Sequence, residues 1–148
     1  MPEDSPIEMD EKERDEFLGN GGTGVLSLST SGDDSPHSVP VSYGYDRSES
    51  TFYFRLSNGE SKGDLDGRPV AFVTYGDDDE RWRSVVARGH LEDVDNEDIA
   101  TESLDGLDHV DIPLIDIFHA PTREVDFEFH RLVPDELTAR IESEFRQE

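Results

Sequence analysis

The sequence contains no cysteine, which excludes disulfides, thiolate nucleophiles, Cys-ligated zinc and Cys-ligated iron–sulfur clusters. Lysine is almost missing as well, with Lys12 and Lys62 standing against 11 arginines. Apolar residues make up only 32% of the chain and mean hydropathy is -0.72. No apolar run exceeds strand length, whereas a helical membrane span needs about 20 such residues. The N-terminal stretch MPEDSPIEMDEKERDEF has neither a basic start nor an apolar core. No secretory signal is therefore expected, and the protein is placed in the cytoplasm with no membrane partner. Positive charge is also scarce: 13 basic residues face 37 acidic ones, a net charge of -24. A nucleic-acid partner needs a basic face, so none is expected.

So few apolar residues and so much charge would ordinarily mean disorder. The sequence argues otherwise, because strand patterns punctuate it: GVLSLS, VPVSYGY, TFYFR, VAFVTY and SVVARGHLEDV. The acids fall mostly in turns, expected helices and tails, where a solvated face would hold them, a pattern that fits adaptation to a high-salt cytoplasm where screening removes self-repulsion. The acidity is read as environment, and the few cations carry the functional signal. Residues 47–88 hold seven basic and eight acidic residues, a net of -1, while the other 106 hold six and 29. A local reserve of cations in such a chain suggests an anion to hold.

In chain order, residues 8–18 read as a weakly amphipathic helix, with Asp10 as cap and Glu13 three residues on. Gly19-Asn20-Gly21-Gly22-Thr23-Gly24 spells G-x-G-x-x-G. A dinucleotide fingerprint needs a strand before the glycines and a helix after them. Here the order is reversed, so the motif reads as a helix stop leading into a strand at Val25–Ser29. His37–Tyr45 and Thr51–Arg55 read as an antiparallel hairpin around the turn sequence DRSES. The loop after it, Ser57-Asn58-Gly59-Glu60-Ser61-Lys62, combines hydroxyls, a flexible backbone and a cation, which suits phosphate. Val70–Tyr75 is nearly continuous in apolar residues and reads as a strand either buried on both faces or central in a barrel. Trp82–Val94 is a long strand whose Gly89 marks a bulge or bend. Asp95–Leu107 and a segment starting at Pro113 read as helices, Arg123–Leu132 as a half-exposed strand, and about 134–146 as a closing helix with Leu137, Ile141 and Phe145 on one side.

About six short-spaced strands with small helical connectors argue for a mainly β fold, a closed or nearly closed antiparallel barrel with peripheral helices, in a single domain covering residues 1–148 with its core at about 20–132. No catalytic constellation stands out. The five histidines are scattered, with no pair at helical metal-ligand spacing, so no metal site is assigned. There is no G-x-S-x-G elbow for a serine nucleophile. The single tryptophan, Trp82, would ordinarily serve core or interface packing, but its flanks Arg81 and Arg83, with Ser84 on the same strand, also make it a candidate to border a ligand.

Four pieces, in order, resemble the pyridoxamine 5'-phosphate oxidase-like FMN-binding split barrels, in particular the nitroimidazole-resistance-type branch. They are Gly24-Val25-Leu26-Ser27-Leu28; His37-Ser38-Val39-Pro40-Val41-Ser42-Tyr43; Tyr53-Phe54-Arg55 with Lys62 seven residues on; and Ser84-Val85-Val86 with Gly89 and Val94. The tail DFEFHRLVPDELTAR is similar to the family's last strand and helix. The resemblance implies a six-stranded antiparallel split β-barrel and a homodimer holding FMN at the subunit interface. It implies that Pro40, Val41, Ser42 and Tyr43 run along the flavin ring and that Arg55 and Lys62 meet the phosphate. Trp82, Arg83, Ser84 and Val85 would line the other side. Arg55 departs from the histidine found in many relatives. The implied activity is oxidoreduction of a small molecule by hydride transfer at the flavin, with catalytic residues unassigned; Tyr45, His37 and Trp82 are candidates for shaping a substrate pocket. The same barrel is also compatible with the deazaflavin F420, with haem, or with a non-enzymatic flavin-binding or structural dimer.

Overall fold

The computed structural model describes residues 7–30, 35–57, 65–78, 81–94, Ile99 and 127–142. The elements in order are β1 (Ile7–Glu8), α1 (Glu11–Leu18), β2 (Gly21–Leu28), β3 (His37–Asp46), β4 (Thr51–Ser57), β5 (Pro69–Asp78), β6 (Arg81–Val94) and β7 (Phe127–Ile141). The strands pair in the order β1-β7-β4-β3-β2-β5-β6, and β6 returns to β7. Every pairing is antiparallel. The six long strands thus close into a barrel, as the spacing of strand patterns predicts, and β1 adds a short extension beside β7.

Alternation decides what fills the barrel. Tyr43 and Tyr45 from β3, Phe52 and Phe54 from β4, and Phe72 from β5 all point inward and are buried. Their rings meet at centroid distances of 4.9–5.9 Å, mostly edge-on or tilted, a geometry that contributes roughly 1 kcal/mol per pair beyond simple burial. At one end His130 is buried with Nδ1 3.0 Å from Asp93 Oδ1. At the other, α1 closes the barrel. Asp10 caps it as predicted, its Oδ1 accepting from the Glu13 N–H at 2.8 Å, and Gly19 ends it at φ 59°, a conformation that disfavours side chains. The glycine run is a helix stop followed by a strand, so the nucleotide-fingerprint geometry is absent.

Glycine lets β2 and β5 approach closely. A Cβ on Gly24 would lie 2.5 Å from the Val73 carbonyl oxygen and 2.6 Å from the Phe72 ring. Gly89 marks a bulge, as its sequence position predicts, but the extra residue is on the partner: Arg88 faces Glu136 and Gly89 faces Pro134, leaving Asp135 over.

Three sequence readings change. The closing helix expected at about 134–146 is strand as far as Ile141, because β6 runs 14 residues and β7 pairs along almost all of it. The four-residue spacing of Leu137 and Ile141 satisfies an alternating strand equally well, with Ala139 as the missing inward residue between them. The first barrel strand starts at Gly21, four residues earlier than expected, since Gly21–Gly24 already pair with Val41–Gly44. Of the two readings of Val70–Tyr75, a strand central in the barrel holds, since β5 pairs with both β2 and β6; burial on both faces does not. Val70, Phe72 and Thr74 face the core, while Ala71, Val73 and Tyr75 face outward. The helices expected at Asp95–Leu107 and from Pro113 lie outside the described residues. No described helix is long and apolar enough to cross a membrane.

Candidate functional site

The barrel wall is interrupted between β3 and β4. Tyr43–Asp46 pair with Thr51–Phe54, and there the two strands part. From His37 to Ser42, β3 pairs only with β2, and from Arg55 to Ser57, β4 pairs only with β7, among the described residues. Among the described residues, this edge of β3 has no strand partner along the split, the kind of edge whose main-chain groups can meet a ligand. Ser42 and Arg55 stand at the fork. Pro40, which cannot donate to a ladder, sits on this free-edged strand, the position where proline is tolerated.

The outward residues beside the split are small, hydroxylic or apolar: Ser38, Pro40 and Ser42 on β3, and Thr23, Val25 and Ser27 on β2. Ser27 and Ser38 hydroxyls meet at 2.8 Å. Arg55 is half-buried on the outer side of β4, opposite Phe129. This donor set, hydroxyls and edge amides with an arginine at the fork, is chemically suited to a polar ligand carrying an anionic group. Lys62, the other expected phosphate contact, lies outside the described residues.

The expected site residues separate by side-chain direction. Pro40 and Ser42 face outward along the split, whereas Val41 and Tyr43 point into the core. Whatever Val41 and Tyr43 offer a ligand there is main chain. The Tyr43 hydroxyl donates to the Leu18 carbonyl at 3.0 Å, and burial pushes it up to about 12, so it stays a donor at neutral pH. On β6, Trp82 and Ser84 face outward, Val85 is core, and Arg83 takes the inward register at the barrel end, opposite Gly76 and Ile141. Between Ser42 on β3 and Ser84 on β6 lie β2 and β5. Three inter-strand steps put them about 14 Å apart. The expected set therefore makes two clusters on one chain, not one pocket.

Two candidates for a substrate pocket move. Tyr45 is buried, its hydroxyl donating to Asp15 Oδ1 at 2.7 Å under α1, so it lines no open pocket. His37 is exposed at the start of β3, opposite Leu28. An open groove of about 520 Å³ does exist at α1, lined by Asp10, Glu11, Lys12, Asp15, Glu16 and Arg47. Four of those six are acids, which opposes a phosphate there. No three His, Asp or Glu residues converge on a metal-binding point among the described residues.

The outer wall is covered unevenly. On β4, outward Tyr53 is 2% exposed because Ile99 packs on it with Phe129 and Val94. On β2, β5 and β6, Val25, Tyr75 and Trp82 remain 39%, 65% and 47% exposed. Tyr75 and Arg140 belong to this bare face and the sequence reading passed over both. Tyr75 ended a run that looked wholly buried, and Arg140 lay in a segment assigned to a helix. Strand alternation through Leu137, Ala139 and Ile141 is the signal that places Arg140 outward.

Similarity to known proteins follows this architecture. A chain from Corynebacterium glutamicum, solved as a candidate pyridoxamine 5'-phosphate oxidase, aligns with TM-score 0.64 and 23% identity over 97% of this chain and 98% of its own. An FAD-binding protein from Mycobacterium smegmatis gives 0.61 and 19% over 93% and 98%. An FAD- and haem-binding protein from the same organism gives 0.63 and 20% over 94% of this chain and 74% of its own. A search of curated proteins returns no match. At these identities the structures show a shared fold. The sequence model for pyridoxamine 5'-phosphate oxidase matches residues 10–141, nearly the whole barrel, and the chain belongs to that family.

Proposed function

We propose that the protein binds FMN and acts as an oxidoreductase on a small molecule, the flavin lying in a cleft completed by a second copy of the chain. The observation that carries this reading is the split between β3 and β4. It presents a strand edge that does not pair with β4 among the described residues, outward Pro40 and Ser42, and Arg55 at the fork, in a fold whose solved examples include an FAD-binding protein. A bound flavin supplies the hydride chemistry, which is why the chain needs no catalytic constellation of its own. The protein's part is to hold and orient. Edge amides of His37–Ser42 suit the polar rim of a flat ring, and Arg55, with Lys62 from the following loop, suits the phosphate.

The two-chain arrangement is supported by the 14 Å gap between the β3 and β6 clusters and by the bare outer face of β2, β5 and β6. Outward Trp82 and Ser84 would then close the cleft from the partner, with Val85 offering only its main chain and Arg83 standing at the barrel end. Haem is the second reading, favoured by the relative that binds both FAD and haem.

The visible absorption spectrum of the purified protein tests the cofactor. Flavin bands support this reading; a Soret band would transfer the barrel to haem, and a deazaflavin band to F420. Oxidation of NADH or NADPH by the flavin-loaded protein, with candidate acceptors, then tests whether it turns over.

A further inference from the structure

We propose that Tyr75, Trp82, Ser84 and Arg140 form a site for a small planar aromatic carboxylate. The site lies on the face assigned above to the flavin cleft, so it rests on that reading and names the class of substrate.

Tyr75 is the Cα partner of Ser84, and Ser84 is the Cα partner of Arg140, so the three lie in one row across β5, β6 and β7. Trp82 is two residues from Ser84 and shares its outward direction. The Tyr75 and Trp82 rings lie 6.0 Å apart at 40°. Two large aromatic rings side by side in solvent are unusual on so acidic a chain and mark a contact surface. They offer a stacking wall for a flat ring.

Arg140 supplies the charge. The other outward arginines of β6 and β7 face acids: Arg88 lies 3.7 Å from Glu136, and Arg131 2.6 Å from Glu92. Arg140 stands between Ser84 and Glu8 and forms no ion pair with any described residue. In a chain with nearly three acids per base, that leaves its guanidinium open to an external anion.

The surroundings select a carboxylate over a phosphate. A guanidinium takes a carboxylate through two parallel N–H···O bonds, with the Ser84 hydroxyl able to donate a third. A dianion would want a second cation. Arg81 is already committed to the Glu142 carbonyl oxygen, at 2.6 and 3.1 Å. Glu8 beyond Arg140 and Asp77 beside Trp82 add negative charge at both ends of the row.

Trp82 is the chain's one tryptophan, so its fluorescence reports this site directly. Benzoate, benzamide and phenyl phosphate share a ring and differ in charge; each is titrated at fixed ionic strength, with and without added FMN. Benzoate should perturb Trp82 emission saturably and bind at least about tenfold more tightly than benzamide, the ratio expected of one charge-assisted contact. Phenyl phosphate should bind more weakly than benzoate. Arg140→Gln should erase the advantage of benzoate while leaving benzamide binding and the unfolding temperature in place. Benzoate binding no better than benzamide, or unchanged in Arg140→Gln, overturns the site. Phenyl phosphate binding the tightest overturns the carboxylate assignment. Visible absorption of the same samples reads flavin content separately, so a chain without flavin would overturn the cofactor reading and leave the Trp82 titration to decide this one.

Discussion

The hydroxyl of Tyr45 donates to Asp15 Oδ1 at 2.7 Å, tying α1 to the end of the barrel that it closes. Arg14 adds to the joint, its Nη2 lying 3.1 Å from the same carboxylate oxygen and 3.4 Å from Ser50 Oγ. Tyr45→Phe removes the donor but keeps the ring in the aromatic core, so it isolates the tether. The expected loss is about 1.5–3 kcal/mol in denaturant unfolding, the usual range for a hydrogen bond to a charged partner. A loss below a few tenths would mean that packing of Leu18 alone holds the helix.

Alkaline pH reads the neighbouring tyrosine. Burial raises Tyr43 from 10.0 to about 12. The folded state therefore keeps this proton at pH values where the unfolded chain has lost it. The stabilisation is complete below pH 10 and fades as pH rises toward 12, by about 2–3 kcal/mol in total. Tyr43→Phe should flatten that part of the stability profile; an unchanged slope would assign it to other groups.

Gly24 sits where two backbones nearly touch. Gly24→Ala places a methyl 2.5 Å from the Val73 carbonyl, an atom that cannot swing away. Thermal or denaturant unfolding should show a loss of about 2–3 kcal/mol, the usual cost of forcing extra volume into a packed wall. The same substitution at Gly76, where the nearest foreign atom is 3.9 Å away, should cost much less.

How much of this was legible beforehand depended on how local the cause was. The α1 cap at Asp10, the hairpin through DRSES and the bend at Gly89 each follow from a few neighbouring residues, and each is visible in the sequence. The strand identity of Pro134–Ile141 is not local. Leu137 and Ile141 satisfy either period, and the choice is made by twelve residues of β6 that need a partner. That missed strand is also why Arg140 escaped notice. Composition likewise hides direction: Pro40, Val41, Ser42 and Tyr43 are consecutive in a ligand-like motif, yet only alternate ones face the split. The two-cluster layout of the site follows from strand order, which no spacing in the sequence reveals.

The charge of -24 makes a separate expectation. If the acidity is an adaptation to salt, raising potassium chloride from 0.1 to about 2 M should raise the unfolding temperature by more than ~5 °C, because screening relieves repulsion among the carboxylates. A flat or falling curve would remove salt from the account.

Arg55 is expected to act on FMN through the phosphate. Arg55→Ala should weaken FMN by roughly 10–100-fold, one charge-assisted contact, while riboflavin, which lacks the phosphate, is affected little. Equal losses for both ligands would place Arg55 at the ring instead.

Sedimentation equilibrium followed at the flavin's visible absorption joins the two halves of the central claim, that FMN binds and that two chains hold it. The account predicts that the flavin sediments with a species of twice the 16.7 kDa chain mass. Flavin remaining free in solution, or travelling with a single chain, would contradict it.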